Sequence, residues 1–133
     1  LVIFASEDIG NADTNALNLA INTLIAVKNI GYPEARIPLA QCVVYLASAV
    51  KSNSSYEAIN KALNFVQNNP PLPILPHLDN NNPAVKNYLY PHDFGGYVKQ
   101  QYLAKPLKFY ESKGLGAEKK LHEWLQMMKK ESK

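Results

Sequence analysis

Apolar positions crowd the first half of the chain in long runs and thin out into scattered aromatics in the second. The opening LVIFAS completes a helix expected to end at the polar turn Glu7-Asp8-Ile9-Gly10. Asp13 then supplies an N-cap for a helix over 14–30, and Gly31 its stop: a carboxylate satisfies orphan N–H groups, and glycine accepts the backbone of a helix end. On this helix Asn15, Asn18, Asn22 and Asn29 share one narrow stripe, and nearly every other position is Ala, Leu, Ile or Val. The next helix is predicted over 38–50, with Pro38 in its first turn and only Gln41 and Ser48 interrupting its apolar surface.

A helix apolar on most sides is normally buried on most sides. Two in succession are hard to cover within 133 residues. Either another subunit or domain covers part of them, or the rest of the chain wraps a central helix hairpin, and the pattern leaves both open. Ser54 or Ser55 caps a further helix to residue 68, whose Tyr56, Ile59, Leu63 and Val66 follow the spacing of an amphipathic helix. The run NNPPLPILP ends helical structure, because proline lacks an N–H and restricts the residue before it.

Residues 70–113 show no helical period. Their tyrosines (Tyr88, Tyr90, Tyr97, Tyr102, Tyr110), with Phe94 and Phe109, argue against disorder, so an ordered arm over the helices is expected, with room for a short strand at 98–102 or 107–110. Gly114 and Gly116 release the chain into a last helix over 117–130. Ala117, Leu121, Trp124 and Met128 make one face of it, and Glu118, Lys119, Lys120, Glu123, Lys129 and Lys130 the other. The reading is one all-α domain over 1–133: a helical core at 1–69, an arm at 70–113, and a final helix and tail at 114–133.

Charge changes this picture only slightly. Residues 1–69 hold four basic and five acidic groups, net −1, and residues 70–133 hold ten and six, net +4. The lone Cys42 sits in an apolar run and reads as a core thiol, compatible with a reducing compartment. The chain opens without Met or a basic leader and has no run long enough for a membrane span, so a C-terminal piece of a longer, soluble, cytosolic protein is expected.

Candidate chemistry is sparse. His92 and Asp93, with His77 and Asp79, lack the converging ligands of a metal site, and no nucleophile is placed beside a base. Next to Pro91 and the Gly95-Gly96 pair, His92 and Asp93 read as side chains that bond to backbone and pin a turn. No phosphate-binding G-x-x-x-x-G-K-[ST] occurs, so this stretch is not expected to bind or hydrolyse ATP. Lys86, Lys99, Lys105, Lys108 and Lys113 interleave with the tyrosines. The alternative function is therefore a monomeric DNA-binding or protein-docking module built on this arm.

The segments ASEDIGNAD, YPEARIPLAQCVVYLASAVKSNSSYEAI, LPHL, YPHDFGGYVKQQYL and FYES, in this order, resemble the C-terminal domain of the RarA/MgsA family of AAA+ ATPases, similar to the Werner helicase-interacting protein. The link between His77-Leu78 and Tyr-Pro-His-Asp is shorter than usual for the family, and Ala104 and Ser112 stand where proline is common. The resemblance implies a clamp-loader-like helical oligomerisation domain that forms a homotetramer, with ATP and Mg bound by upstream domains and none here. It also implies DNA contact through the full-length protein at replication forks during recombination and repair, replication partners such as single-strand binding protein, and a nucleoid-associated location. On that reading Leu17, Ile21, Leu24, Val43, Val44 and Leu46 are candidate interface residues, and His92, Asp93, Gly95, Gln101 and Tyr102 anchor the arm.

Overall fold

The computed structural model describes residues 1–131, so the tail at 132–133 lies outside the described residues. Five α-helices carry the fold: α1 (Val2–Phe4), α2 (Asn15–Ile30), α3 (Arg36–Ser48), α4 (Ser54–Asn68) and α5 (Ala117–Glu131). Among the described residues there is no strand, and the architecture is all helical.

The opening helix does not stop at Glu7–Gly10. It widens into a π turn over Ala5–Ile9 and tightens into a 3-10 turn over Gly10–Ala12. Burial of Ile9 drives this path, since its side chain is fully enclosed with Ala5, Ala16, Ala20, Cys42 and Leu46. Gly10 has φ +52°, and a Cβ there would meet the Ser52 carbonyl oxygen at 2.7 Å. The same approach lets the Ser52 N–H donate to the Ile9 carbonyl at 3.3 Å.

Asp13 caps α2 as the sequence suggests: its Oδ1 accepts from the Asn15 N–H at 3.0 Å. Its Oδ2 accepts from the Tyr45 hydroxyl at 2.8 Å and so ties the start of α2 to α3. Helix α3 begins two residues earlier and ends two earlier than expected. Lys51 closes it by donating to the carbonyls of Leu46, Ala47 and Ala49, which compensates the negative end of the helix. Helix α4 spans the expected residues, but Asn53 holds the cap position and the Ser54 hydroxyl turns elsewhere.

The arm is extended chain punctuated by 3-10 turns at Pro76–Leu78, Pro83–Asn87 and Pro91–Phe94, each opened by proline at its first position. The strands considered at 98–102 and 107–110 do not form. The side-chain amide of Gln100 occupies the backbone groups a strand partner would use: its Nε2 donates to the Leu89 carbonyl at 2.6 Å and its Oε1 accepts from the Leu89 N–H at 3.1 Å. Farther along, Phe109 packs on Phe65 of α4 with ring centroids 5.8 Å apart.

Candidate assembly surface

Helix α2 turns small residues inward. Ala16, Ala20 and Thr23, at i, i+4 and i+7, are buried against the rest of the fold. Leu17, Ile21 and Leu24, one position on at the same spacing, and Ile25 beside them remain 36%, 41%, 44% and 52% exposed. The asparagine stripe lies beside them, with Asn15 reaching the Tyr45 hydroxyl at 3.4 Å. Helix α3 repeats the arrangement: Cys42 and Leu46 face the core, while Ile37, Val43 and Val44 are at least half exposed.

Five of the six residues singled out for an interface are therefore on the surface. Leu46 is not. At 1% exposure it belongs to the central cluster, because it lies one turn from Cys42 on the inward side of α3.

The strongest polar feature is one the sequence pattern concealed. Helical spacing places Glu118 on the charged, outward face of α5, yet it is fully buried. Its Oε2 accepts from the Ser52 hydroxyl at 2.6 Å, and its Oε1 accepts from the hydroxyls of Tyr110, at 2.6 Å, and Ser54. Burial pushes this carboxyl's pKa up, but the donors from Ser52, Ser54 and Tyr110 outweigh it and hold the group below the usual carboxylate range. Tyr110 moves the other way, raised by burial and then by its bond to Glu118. Gly116, at φ +53°, lies so close to the Ala12 carbonyl that a Cβ would overlap it. Thus Gly10, Ala12, Ser52, Ser54, Tyr110, Gly116 and Glu118 meet in one knot that pins the end of the arm and the start of α5 to the core.

The proposed arm anchors divide. Gly95 adopts the left-handed conformation that ends the Pro91–Phe94 turn, and the Gly96 N–H closes it on the Pro91 carbonyl at 2.8 Å. The side chains of His92 and Asp93 are exposed. His92 lies tilted at 50° against Tyr90, with ring centroids 5.0 Å apart, and backbone rather than either side chain closes the turn. The Gln101 carbonyl contacts His77 Nε2 at 2.8 Å, and the Tyr102 hydroxyl accepts from Gln100 at 2.8 Å. Gln100 and His77 are thus the clasp residues that sequence reasoning missed. Of the arm lysines, Lys105 lies 5.1 Å from the Phe65 ring centroid and Lys113 pairs with Glu57 at 2.8 Å. Lys86, Lys99 and Lys108 are exposed. No helix of the described residues is long and apolar enough to cross a membrane.

Comparison with known proteins matches residues 1–129 to a family described as MgsA AAA+ ATPase C terminal. An uncharacterized Thermotoga maritima protein is 42% identical over 96% of this chain, which spans 22% of that protein. Replication-associated recombination protein A of Bacillus subtilis is 37% identical over 87% of the chain, or 30% of its own length. The ATPase WRNIP1 of Dictyostelium discoideum is 39% identical over 85% of the chain, or 14% of its own length. The chain therefore spans less than a third of each of these relatives. A resemblance carried by separate short motifs becomes a match along nearly the whole chain, and the chain belongs to the MgsA AAA+ ATPase C-terminal family.

Proposed function

We propose that this domain is the self-association module of a DNA-dependent AAA+ ATPase that works in replication-fork maintenance, recombination and repair. It assembles as a homotetramer and gathers ATPase modules, supplied by the remainder of a longer protein, around DNA. The observation that carries this is the packing of α2 and α3, which bury Ala16, Ala20, Thr23, Cys42 and Leu46 but leave Leu17, Ile21, Leu24, Ile25, Ile37, Val43 and Val44 exposed. Re-burying half of a Leu, Ile or Val side chain contributes about 1 kcal/mol, so the seven exposed residues named on α2 and α3, on each of two partners, contribute about 14 kcal/mol. Association costs about 4–15 kcal/mol, so an isolated pair is marginal, and a closed assembly that uses every face is favoured. Gathering modules raises their effective concentration on one DNA molecule, so weak individual contacts combine.

Light scattering coupled to size exclusion tests the reading. A particle of about four chain masses, each 14.8 kDa, is expected. A monomer at tens of micromolar would overturn it.

A further inference from the structure

Helix α5 carries an apolar row that the fold leaves uncovered. Gly116 and the Glu118 knot pin its first turn to the core, yet Leu121, Trp124 and Met127 are 51%, 57% and 49% exposed. The three recur at i, i+3 and i+6 and so run along one side of the helix. Lys120 stands in the same row, one turn before Trp124, and Lys119 and Lys130 flank it, all exposed. Helices α2, α3 and α4 also expose apolar residues but carry one cation each, Lys28, Arg36 and Lys61. Burial of Glu118 sharpens the contrast. Residues 117–133 hold five lysines and three glutamates, and taking Glu118 out of that balance leaves five against two.

We propose that α5 is a lipid-surface helix, which lies in the plane of an anionic bilayer with Leu121, Trp124 and Met127 among the upper acyl chains and its lysines on the headgroups. A basic amphipathic helix with tryptophan on its apolar side suits that boundary, because an indole pairs an apolar body with one N–H donor. Lysine stems lie along the apolar face while their ammonium groups reach outward to the phosphates. A nucleic acid would engage the lysines but offers Leu121 and Met127 nothing to pack against. No helix of the described residues is long and apolar enough to cross a membrane, so the contact is one of lying on the surface. The helix is already formed and held at its first turn, so binding does not have to offset the ordering of a flexible segment. This inference is independent of self-association through α2 and α3.

Trp124 is the single tryptophan of the chain, so its fluorescence reports on this face alone. The whole chain is titrated with vesicles of mixed phosphatidylglycerol and phosphatidylcholine, and with vesicles of phosphatidylcholine only. The anionic vesicles should shift Trp124 emission to the blue, and bromine on their acyl chains should quench it. Neutral vesicles should bind more weakly by about tenfold or more, and added salt should weaken binding to the anionic ones. Each lysine near a charged bilayer contributes a factor of about five, so Lys119→Gln together with Lys120→Gln should bind about 25-fold more weakly. Leu121→Gln should lose about tenfold through its apolar contact. All three sites are surface positions, and circular dichroism checks that the variants stay folded. No shift at millimolar lipid, or a shift that bromine does not quench, would overturn the inference. Equal binding by wild type and both variants would do the same. A salt-sensitive response to duplex DNA with none to vesicles would overturn it in favour of nucleic acid.

Discussion

Removing the Glu118 carboxylate should loosen one end of the molecule while leaving its helices formed. The residue is fully buried and accepts three hydroxyl bonds from segments far apart in sequence: Ser52 and Ser54 before and at the start of α4, and Tyr110 at the end of the arm. Bonds to a charged group contribute about 1.5–3 kcal/mol each, but the hydroxyls stranded by Glu118→Ala partly satisfy one another, which puts the loss at about 4 kcal/mol. For a domain of this length that lowers Tm by roughly 12–16 °C. Glu118→Gln keeps the shape, and the Ser52 hydroxyl can turn to accept from the new amide, so only charge assistance is lost, about 1–2 kcal/mol.

Differential scanning calorimetry over a pH series supplies the discriminating signature. The folded carboxyl titrates below its ordinary value of 4.5. Its stabilisation is therefore complete above that ordinary value and disappears as pH falls through the folded one. The Tm gap between wild type and Glu118→Gln should stay constant from neutral pH down to about pH 5 and narrow in more acid solution. A Glu118→Gln protein as stable as wild type at neutral pH, or a gap that widens on acidification, would refute the argument that a charged carboxylate holds this junction.

The other expectations concern the backbone knot, the two helix faces, the arm turn and assembly. Gly116→Ala should destabilise by about 2–4 kcal/mol in urea titrations, since its φ of +53° and its contact with the Ala12 carbonyl both oppose a Cβ. Gly31→Ala, where nothing stands within 4 Å but φ +74° and ψ 177° lie in a region kept to glycine, should lose about 1–3 kcal/mol from backbone strain alone. Val44→Glu should give folded monomer by light scattering, because Val44 is 66% exposed, whereas Leu46→Glu should abolish folding as read by circular dichroism. Replacing both His92 and Asp93 by alanine should shift stability by less than about 0.5 kcal/mol, as expected for surface positions whose turn is closed by backbone. Finally, Tm should rise with protein concentration, because partners bind only the folded chain, and a Tm independent of concentration would speak against assembly.

Local pattern was enough to find the helices. Asp13, Gly31, Pro38 and the proline run after α4 are punctuation that acts within a turn or two, and the elements begin and end close to them. Which way each helix faces was harder to read. Helix α3 is apolar nearly all round, so its periodicity gives no phase, and Leu46 in the core looks the same as Val44 on the surface. Helix α4 has a clear apolar stripe, but amphipathicity marks which face is apolar, not what meets it, and Ile59, Leu63 and Val66 face out. Glu118 was hidden for a different reason. Its hydroxyl partners on and before α4 are 64 and 66 residues away, and within its own helix it is simply a carboxylate beside two lysines. The FYES segment and the glycines at 114 and 116 marked the region without revealing that the following glutamate turns inward.

The same choice of residues explains the fold and the apolar surface it leaves exposed. Alanines at 16 and 20 let α2 lie close to α3 and to the π turn, where Ile9 fills the centre, and close approach needs small side chains at the contact. Large side chains moved outward to permit that approach are excluded from this core and stay on the surface. Glycines 10 and 116 serve the same economy of space, bringing the loop before α4 and the start of α5 within reach of one buried carboxylate. Few large side chains end up fully enclosed, Ile9 and Leu46 chief among them. On the proposed self-association reading, assembly and folding draw on one set of side chains, and a substitution that fills the space between α2 and α3 should weaken both together.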